Sequence, residues 1–152
     1  MAGPRSLRDC DGGSALAEIV IVLPLLVLLL LGLIEVGRYG NYTIAVGNAA
    51  RAGVQYGAQN TITADDSTGM QNSAAADAQN VPNFHAIASH YCECADGTTS
   101  NCLATDCAAS HRIVYVQVLT DATVPSLTNY AFLPASIRTM AVQGKAVMRV
   151  AQ

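Results

Sequence analysis

Apolar and polar positions alternate with three different rhythms along the chain. The first stretch hardly alternates: Ala15 to Ile34 is about 20 residues long and carries one charge, Glu18. At about 1.5 Å per residue it spans roughly 30 Å, the thickness of a bilayer's hydrocarbon core, which predicts a transmembrane helix. Pro24 inside it is expected to kink or loosen that helix, a defect that membrane helices tolerate. The residues before it, MAGPRSLRDCDGG, are polar with Pro and Gly and read as a leader or a disordered tail. Those after it keep apolar or small residues at helical spacing without proline, so the helix is predicted to run on and end near Gly57 to Asn60. The expected organisation is a leader over 1–13, a membrane helix over 14–36, an extramembrane continuation over 37–60 and a small domain over 61–152.

Within the continuation, Ala45, Ala49, Gly53 and Gly57 recur every four positions, a small-residue stripe that lets another helix approach closely. The plainer reading is a loosely packed stem. A short second helix is predicted within 61–80, with Thr68 and Gln71 as a capping box, Met70, Ala74, Ala78 and Val81 on one face, and Pro82 as its stop. After Pro82 the period becomes two. FHAIASHYCEC places Phe84, Ala86, Ala88, Cys92 and Cys94 on one side; RIVYVQVLT aligns Val114, Val116 and Val118; RTMAVQGKAVMRV aligns Met140, Val142, Ala146, Met148 and Val150. Residues 121–137, with Pro125 and Pro134, read as a loop. The expected fold class is α+β, with a long N-terminal helix, a short second helix and a three-stranded antiparallel sheet.

Composition supports this division. In a chain of 152 residues, 51% are hydrophobic and 12% charged, with no Trp. A surplus of apolar residues over what one small core can hold is accounted for by the membrane helix. Net charge is −3 without a basic cluster, which gives no electrostatic reason to expect nucleic acid. Three kinds of apolar N-terminal segment compete. A secretory signal peptide needs a small-residue cleavage site, and GLIEVGRYGNY offers none. A signal anchor keeps its N-terminus, whereas a prepilin-like leader is cut off before the helix. Arg5 and Arg8 precede the span, but Asp9 and Asp11 sit beside them and Arg38 follows it, so basic residues orient the helix only weakly.

The cysteines favour the prepilin-like leader. Five are present, Cys10, Cys92, Cys94, Cys102 and Cys107, and an odd number leaves an orphan thiol in an exported protein. A cut after Gly13 removes Cys10 and leaves four in one polar window, which fits an oxidising compartment. A zinc site with His90 and His111 is the competing reading, but C-x-C and C-x4-C match no common finger spacing. As disulfides, Cys92 and Cys94 stand too close to bridge each other, so Cys92 pairs with Cys102 and Cys94 with Cys107, or Cys92 with Cys107 and Cys94 with Cys102. Catalysis finds little support. Asp65 and Asp66 suit a helix cap better than an acid–base pair, His85, His90 and His111 lack a nucleophile, and no phosphate or dinucleotide loop occurs. Neither an enzyme nor a cofactor or metal is expected.

GSALAEIVIVLPLLVLLLLGLIEVGRYGNYTIAVGNAARAGVQYGA resembles the N-terminal signature of the TadE-like family, in its apolar run, Glu35, Gly37-Arg38 and the stretch Asn48 to Gly53. CECADG, the two later cysteines and AVMRV also resemble this family, more loosely. The resemblance implies a type IV pilin-like architecture and a pseudopilin, or minor pilin, of tight-adherence (Flp-type) pilus systems. Such a protein is anchored in the bacterial inner membrane with its C-terminal domain in the periplasm. Its implied partners are the bilayer, a prepilin peptidase, other pilins and the assembly platform, with self-association through the N-terminal helix. Cleavage is implied between Gly13 and Ser14, which makes Glu18 the fifth residue, the one that pairs with the amine of a neighbouring subunit. Ile19 departs from the aromatic often found after that Glu. On the residues alone, Glu18 at the headgroup level reaching for water is the alternative. Two other functions stand beside the pseudopilin: a self-polymerising filament subunit, and a membrane-anchored periplasmic binding module with an uncleaved N-terminus.

Overall fold

The structure is a computed structural model that describes residues 11–103, 105–108, 110–127 and 138–151. The expected leader up to residue 10, with Cys10, and Pro134 of the expected loop lie outside the described residues. The chain divides into two compact units, Met1–Gly37 and Arg38–Gln152.

Helix α1 is Asp11–Gly57 and runs through Pro24 without a break. In the first unit its large apolar side chains, Leu16 to Val36, are almost all exposed. A helix that is apolar all round and covers none of it within its own chain is a candidate for lipid rather than water. The helix ends at Gly57, within the interval the sequence predicts.

The second unit holds the rest. It contains α2 (Thr61–Asp65), α3 (Ser67–Asp77), β1 (Phe84–Cys94), β2 (Thr99–Ser100), β3 (Arg112–Pro125) and β4 (Thr139–Arg149). The four strands form one antiparallel sheet in the order β2-β1-β3-β4. Three strands were expected, and the count is corrected to four. The extra strand has two residues, Thr99 and Ser100, opposite Glu93 and Cys92, too short to leave a period in the sequence. The loop expected over 121–137 is corrected as well. Strand β3 continues through Ala122 and Val124 to Pro125, because both side chains are buried and Pro125 stands last, where a missing N–H costs least.

One helix was expected within 61–80, and two are found. Asn60 caps α2: its side-chain oxygen accepts from the N–H groups of Ile62 and Thr63, and the Thr63 hydroxyl accepts from the Asn60 N–H. Asp66 caps α3 by accepting from the Gly69 N–H at 2.8 Å. The box at Thr68 and Gln71 is therefore corrected; the carboxylate of Asp66, two residues upstream, supplies the acceptor, and the chain bends at Asp66 between the two helices. Met70 and Ala74 are buried, with Ala78 and Val81 just beyond α3, as the apolar face requires.

The core is a single cluster of small and β-branched side chains. Val114, Val116, Val118, Ala122, Val124 and Val142 line the inner face of the sheet against Val46, Ala49 and Val54 of α1 and Met70 and Ala74 of α3. Ala or Gly at many contacts lets the helices lie close to the sheet. The closest approach is at β4, where a Cβ on Gly144 would stand 2.8 Å from the Val46 carbonyl oxygen and 3.0 Å from the Gly47 Cα. Beside it the buried Thr120 hydroxyl donates to that same Val46 carbonyl at 2.9 Å. A polar group in a dry core needs such a partner, and it pins the helix to the sheet.

A second polar tie joins α1 to α3. The Tyr56 hydroxyl donates to the Asp66 carboxylate at 2.9 Å. The Gly69 N–H and then the Tyr56 hydroxyl hold the Asp66 carboxyl below its ordinary 3.8, and the same carboxylate raises the Tyr56 hydroxyl above its usual 10.0. A carboxyl with a lowered folded pKa contributes stability that is present above 3.8 and is lost as pH falls through the lower folded value. Asp66→Asn is therefore expected to remove part of the acid destabilisation below about pH 4. Thermal melts across that range check this; an acid limb as steep in the variant as in the parent removes Asp66 as a source.

Candidate anchor and assembly site

Four groups of residues were expected to carry function, and the structure places them in two surroundings. Gly13 and Ser14 stand in the first turns of α1, and Glu18 follows one turn later, exposed on the bare apolar helix. From Glu18 to Glu35 the helix rises about 25 Å. Glu35 has a partner of its own, and the next residues include Arg38, whose guanidinium lies 5.8 Å from the centre of the Tyr42 ring, and the exposed Tyr39. Tyrosines with a cation at the end of an apolar helix are the usual composition of a membrane–water boundary.

The small-residue stripe is used inside the chain. Ala49, Gly53 and Gly57 are buried and Ala45 is half-buried. A Cβ on Gly53 would come within 3.0 Å of the Met70 carbonyl oxygen and 3.1 Å of a Val118 methyl, and one on Gly57 within 3.2 Å of Val116. The neighbours that approach are α3 and β3. The other side of this part of α1 presents Asn41, Ile44, Asn48, Arg51 and Gln55 to solvent.

The cysteines pair as Cys92 with Cys102 and Cys94 with Cys107, with Cα separations of 5.2 and 5.5 Å. Cys92 and Cys94 point inward from the end of β1, and the bridges draw the β2–β3 connection against that end. Cys102 takes a left-handed backbone, φ 66°, to make this turn. Asp106 organises the loop: its carboxylate accepts from the Asn101 N–H at 2.7 Å and the Ser100 hydroxyl at 3.2 Å, and Arg112 donates to the Cys102 carbonyl. Bridges of this span are each worth roughly 2 to 4 kcal/mol, a large share for so small a core. His90 faces Asp65 at 3.6 Å, both in contact with solvent. Among the described residues no cluster of His, Cys, Asp or Glu has the form of a metal site.

Some features escaped the sequence reading. The Asn60–Thr63 box is legible in the sequence as N-x-x-T. The Tyr56–Asp66 tie and the stacked Tyr91 and Tyr115, ring centres 5.3 Å apart, are long-range or cross-strand pairs with no local signature.

Residues 13–55 match the model of a protein family described as TadE-like protein, the family that the N-terminal sequence resembles. The match begins at Gly13, covers the apolar part of α1 with Glu18 and Glu35, and ends two residues before the helix does. The match is confined to the N-terminal helix, and α1 is by length and composition a candidate membrane anchor. Residues 56–152 lie outside the match. No curated protein and no solved structure matches the chain.

Proposed function

We propose that this chain is a pseudopilin of a tight-adherence pilus assembly system, held in the bacterial inner membrane by α1 with residues 38–152 in the periplasm. A prepilin peptidase cuts it between Gly13 and Ser14, and Glu18 then docks it to a neighbouring pilin or pseudopilin. The observation that carries this reading is a family match that opens at Gly13 and follows the apolar helix.

Helix geometry supports the role of Glu18. About 25 Å separates it from Glu35, while the hydrocarbon core is about 30 Å thick. With Glu35 at the outer boundary, Glu18 lies inside the hydrocarbon, about 5 Å from its far edge. A carboxylate costs about 3 kcal/mol at the bilayer centre and less towards its edge, so the helix still gains by finding a cation. Cleavage creates one, the free amine of Ser14. Offered by an adjacent subunit, that amine neutralises Glu18 and turns an unfavourable insertion into a preference for assembly. The two disulfides support export of the globular unit, because thiols stay reduced in the cytoplasm. The architecture implied is pilin-like, a helix whose first part is anchor and whose second part is the spine of a small sheet domain.

Intact-mass analysis of the membrane-extracted protein, with and without reductant, tests this. The expected chain starts at Ser14 and gains two hydrogens per bridge on reduction. A full-length chain beginning at Met1 overturns the peptidase step, and free thiols overturn the periplasmic location.

A further inference from the structure

The two edges of the sheet differ in charge. Strand β4 forms one edge and carries Lys145 and Arg149, both exposed, with no acidic residue between Thr139 and Arg149. The opposite edge is β2 with the loop before it and the loop after it, and it carries Glu93 on the adjoining strand and the exposed Asp96 and Asp106. The Thr98 hydroxyl and N–H donate to Asp96 and hold its carboxyl low, and Asp106 is fixed by the loop, so neither is free to move away from the edge. The cation nearest this edge, Arg112, donates to the Cys102 carbonyl. Strand β2 covers only Cys92 and Glu93 of β1, so among the described residues Phe84–Tyr91 has no strand partner on that side, and β4 has none on its outer side. Unpaired edges of this length invite another chain.

We propose that copies of this chain dock side by side through unlike edges, Lys145 and Arg149 of one copy against Glu93, Asp96 and Asp106 of the next. Like edges repel: β4 against β4 sets cation on cation, and β2 against β2 sets carboxylate on carboxylate. Unlike edges attract, and a contact between two different patches repeats from copy to copy, giving a row rather than a closed pair. The contact involves residues 38–152 alone and does not depend on cleavage at Gly13.

Lys145 is the sole lysine of the chain, which gives the test its specificity. Full-length protein made in light and in 15N-labelled form is mixed, reconstituted in phosphatidylethanolamine–phosphatidylglycerol vesicles and treated with a carbodiimide. The reagent joins an amine to a carboxylate as an amide with net loss of water. Light–heavy peptide pairs linking Lys145 to Glu93, Asp96 or Asp106 are the expected result. Arg149→Glu should lower their yield about fivefold, as should Glu93→Arg, and the two substitutions together should restore it. Retention of both disulfides in each variant confirms that the fold persists. Absence of light–heavy pairs overturns the proposal. So does linkage of Lys145 only to its in-chain neighbour Asp121, or a yield indifferent to the charge reversals.

Discussion

Gly53→Val is expected to unfold the globular unit or to leave it marginal. The residue sits where α1 meets both α3 and β3, and even a single added carbon would stand 3.0 Å from the Met70 carbonyl oxygen. That oxygen belongs to a helix backbone and cannot swing aside as the end of a side chain does. Val118, on the other side, is fully buried in the sheet. Valine adds two further methyls, so α1 must move away from α3, β3 or both, and the cluster around Met70 opens. Overpacking of this kind costs about 3 kcal/mol or more, against the 5 to 15 kcal/mol that a small domain has in total. The same helix supplies a control. A Cβ on Gly47 meets nothing within 4 Å, so Gly47→Ala removes only backbone freedom and is expected to raise stability by up to about 1 kcal/mol. Thermal or denaturant melts of the two variants check the contrast, and equal midpoints would contradict this account of the contact between α1 and α3.

Glu18→Ala is expected to leave the protein in the membrane and normally processed while impairing its incorporation into assemblies. Removing the carboxylate makes α1 a better membrane helix, since the cost of a charge in hydrocarbon disappears. On the proposed docking, what disappears with it is the partner for a neighbouring Ser14 amine, and with that the electrostatic preference for leaving lipid. Loss of a hydrogen-bonded buried ion pair on one side typically costs 3 to 5 kcal/mol, about two to four powers of ten in an association constant. Membrane fractionation, intact mass and co-isolation with the pilus machinery read the three properties separately. Normal incorporation of the variant would remove Glu18 from the docking step.

Much of this architecture can be read from the chain, and the unread parts share a cause. The apolar run, the end of α1 near Gly57 and the inward valines of β3 are local patterns, set by residues within a few positions of one another. The two strand corrections arise where local pattern is silent. Strand β2 consists of Thr99 and Ser100 alone and exists because Cys92 and Glu93 lie opposite them. The last five residues of β3 read as a loop because of Pro125, yet Ala122 and Val124 are buried and pair with Val142 and Met140 across a long separation. The stripe Ala45, Ala49, Gly53 and Gly57 shows the limit most clearly for the candidate site. Spacing announces that something comes close, but Met70 and Val118 as its neighbours depend on how the whole second unit folds. Glu18 is the reverse case: its chemistry is visible from its position in an apolar run, and the partner proposed for it belongs to another chain.

The placement of Cys92 and Cys94 bears on how the sheet acquires its register. Both project inward from β1, where they pair across to Val114 and Arg112 of β3. A slip of one residue between these strands would turn both thiols outward, away from Cys102 and Cys107. The native alignment presents both thiols to their partners, and once closed the bridges oppose such a slip. The two bridges thus hold strand alignment in the covalent structure, at the end of β1 that is nearest the connection to β3.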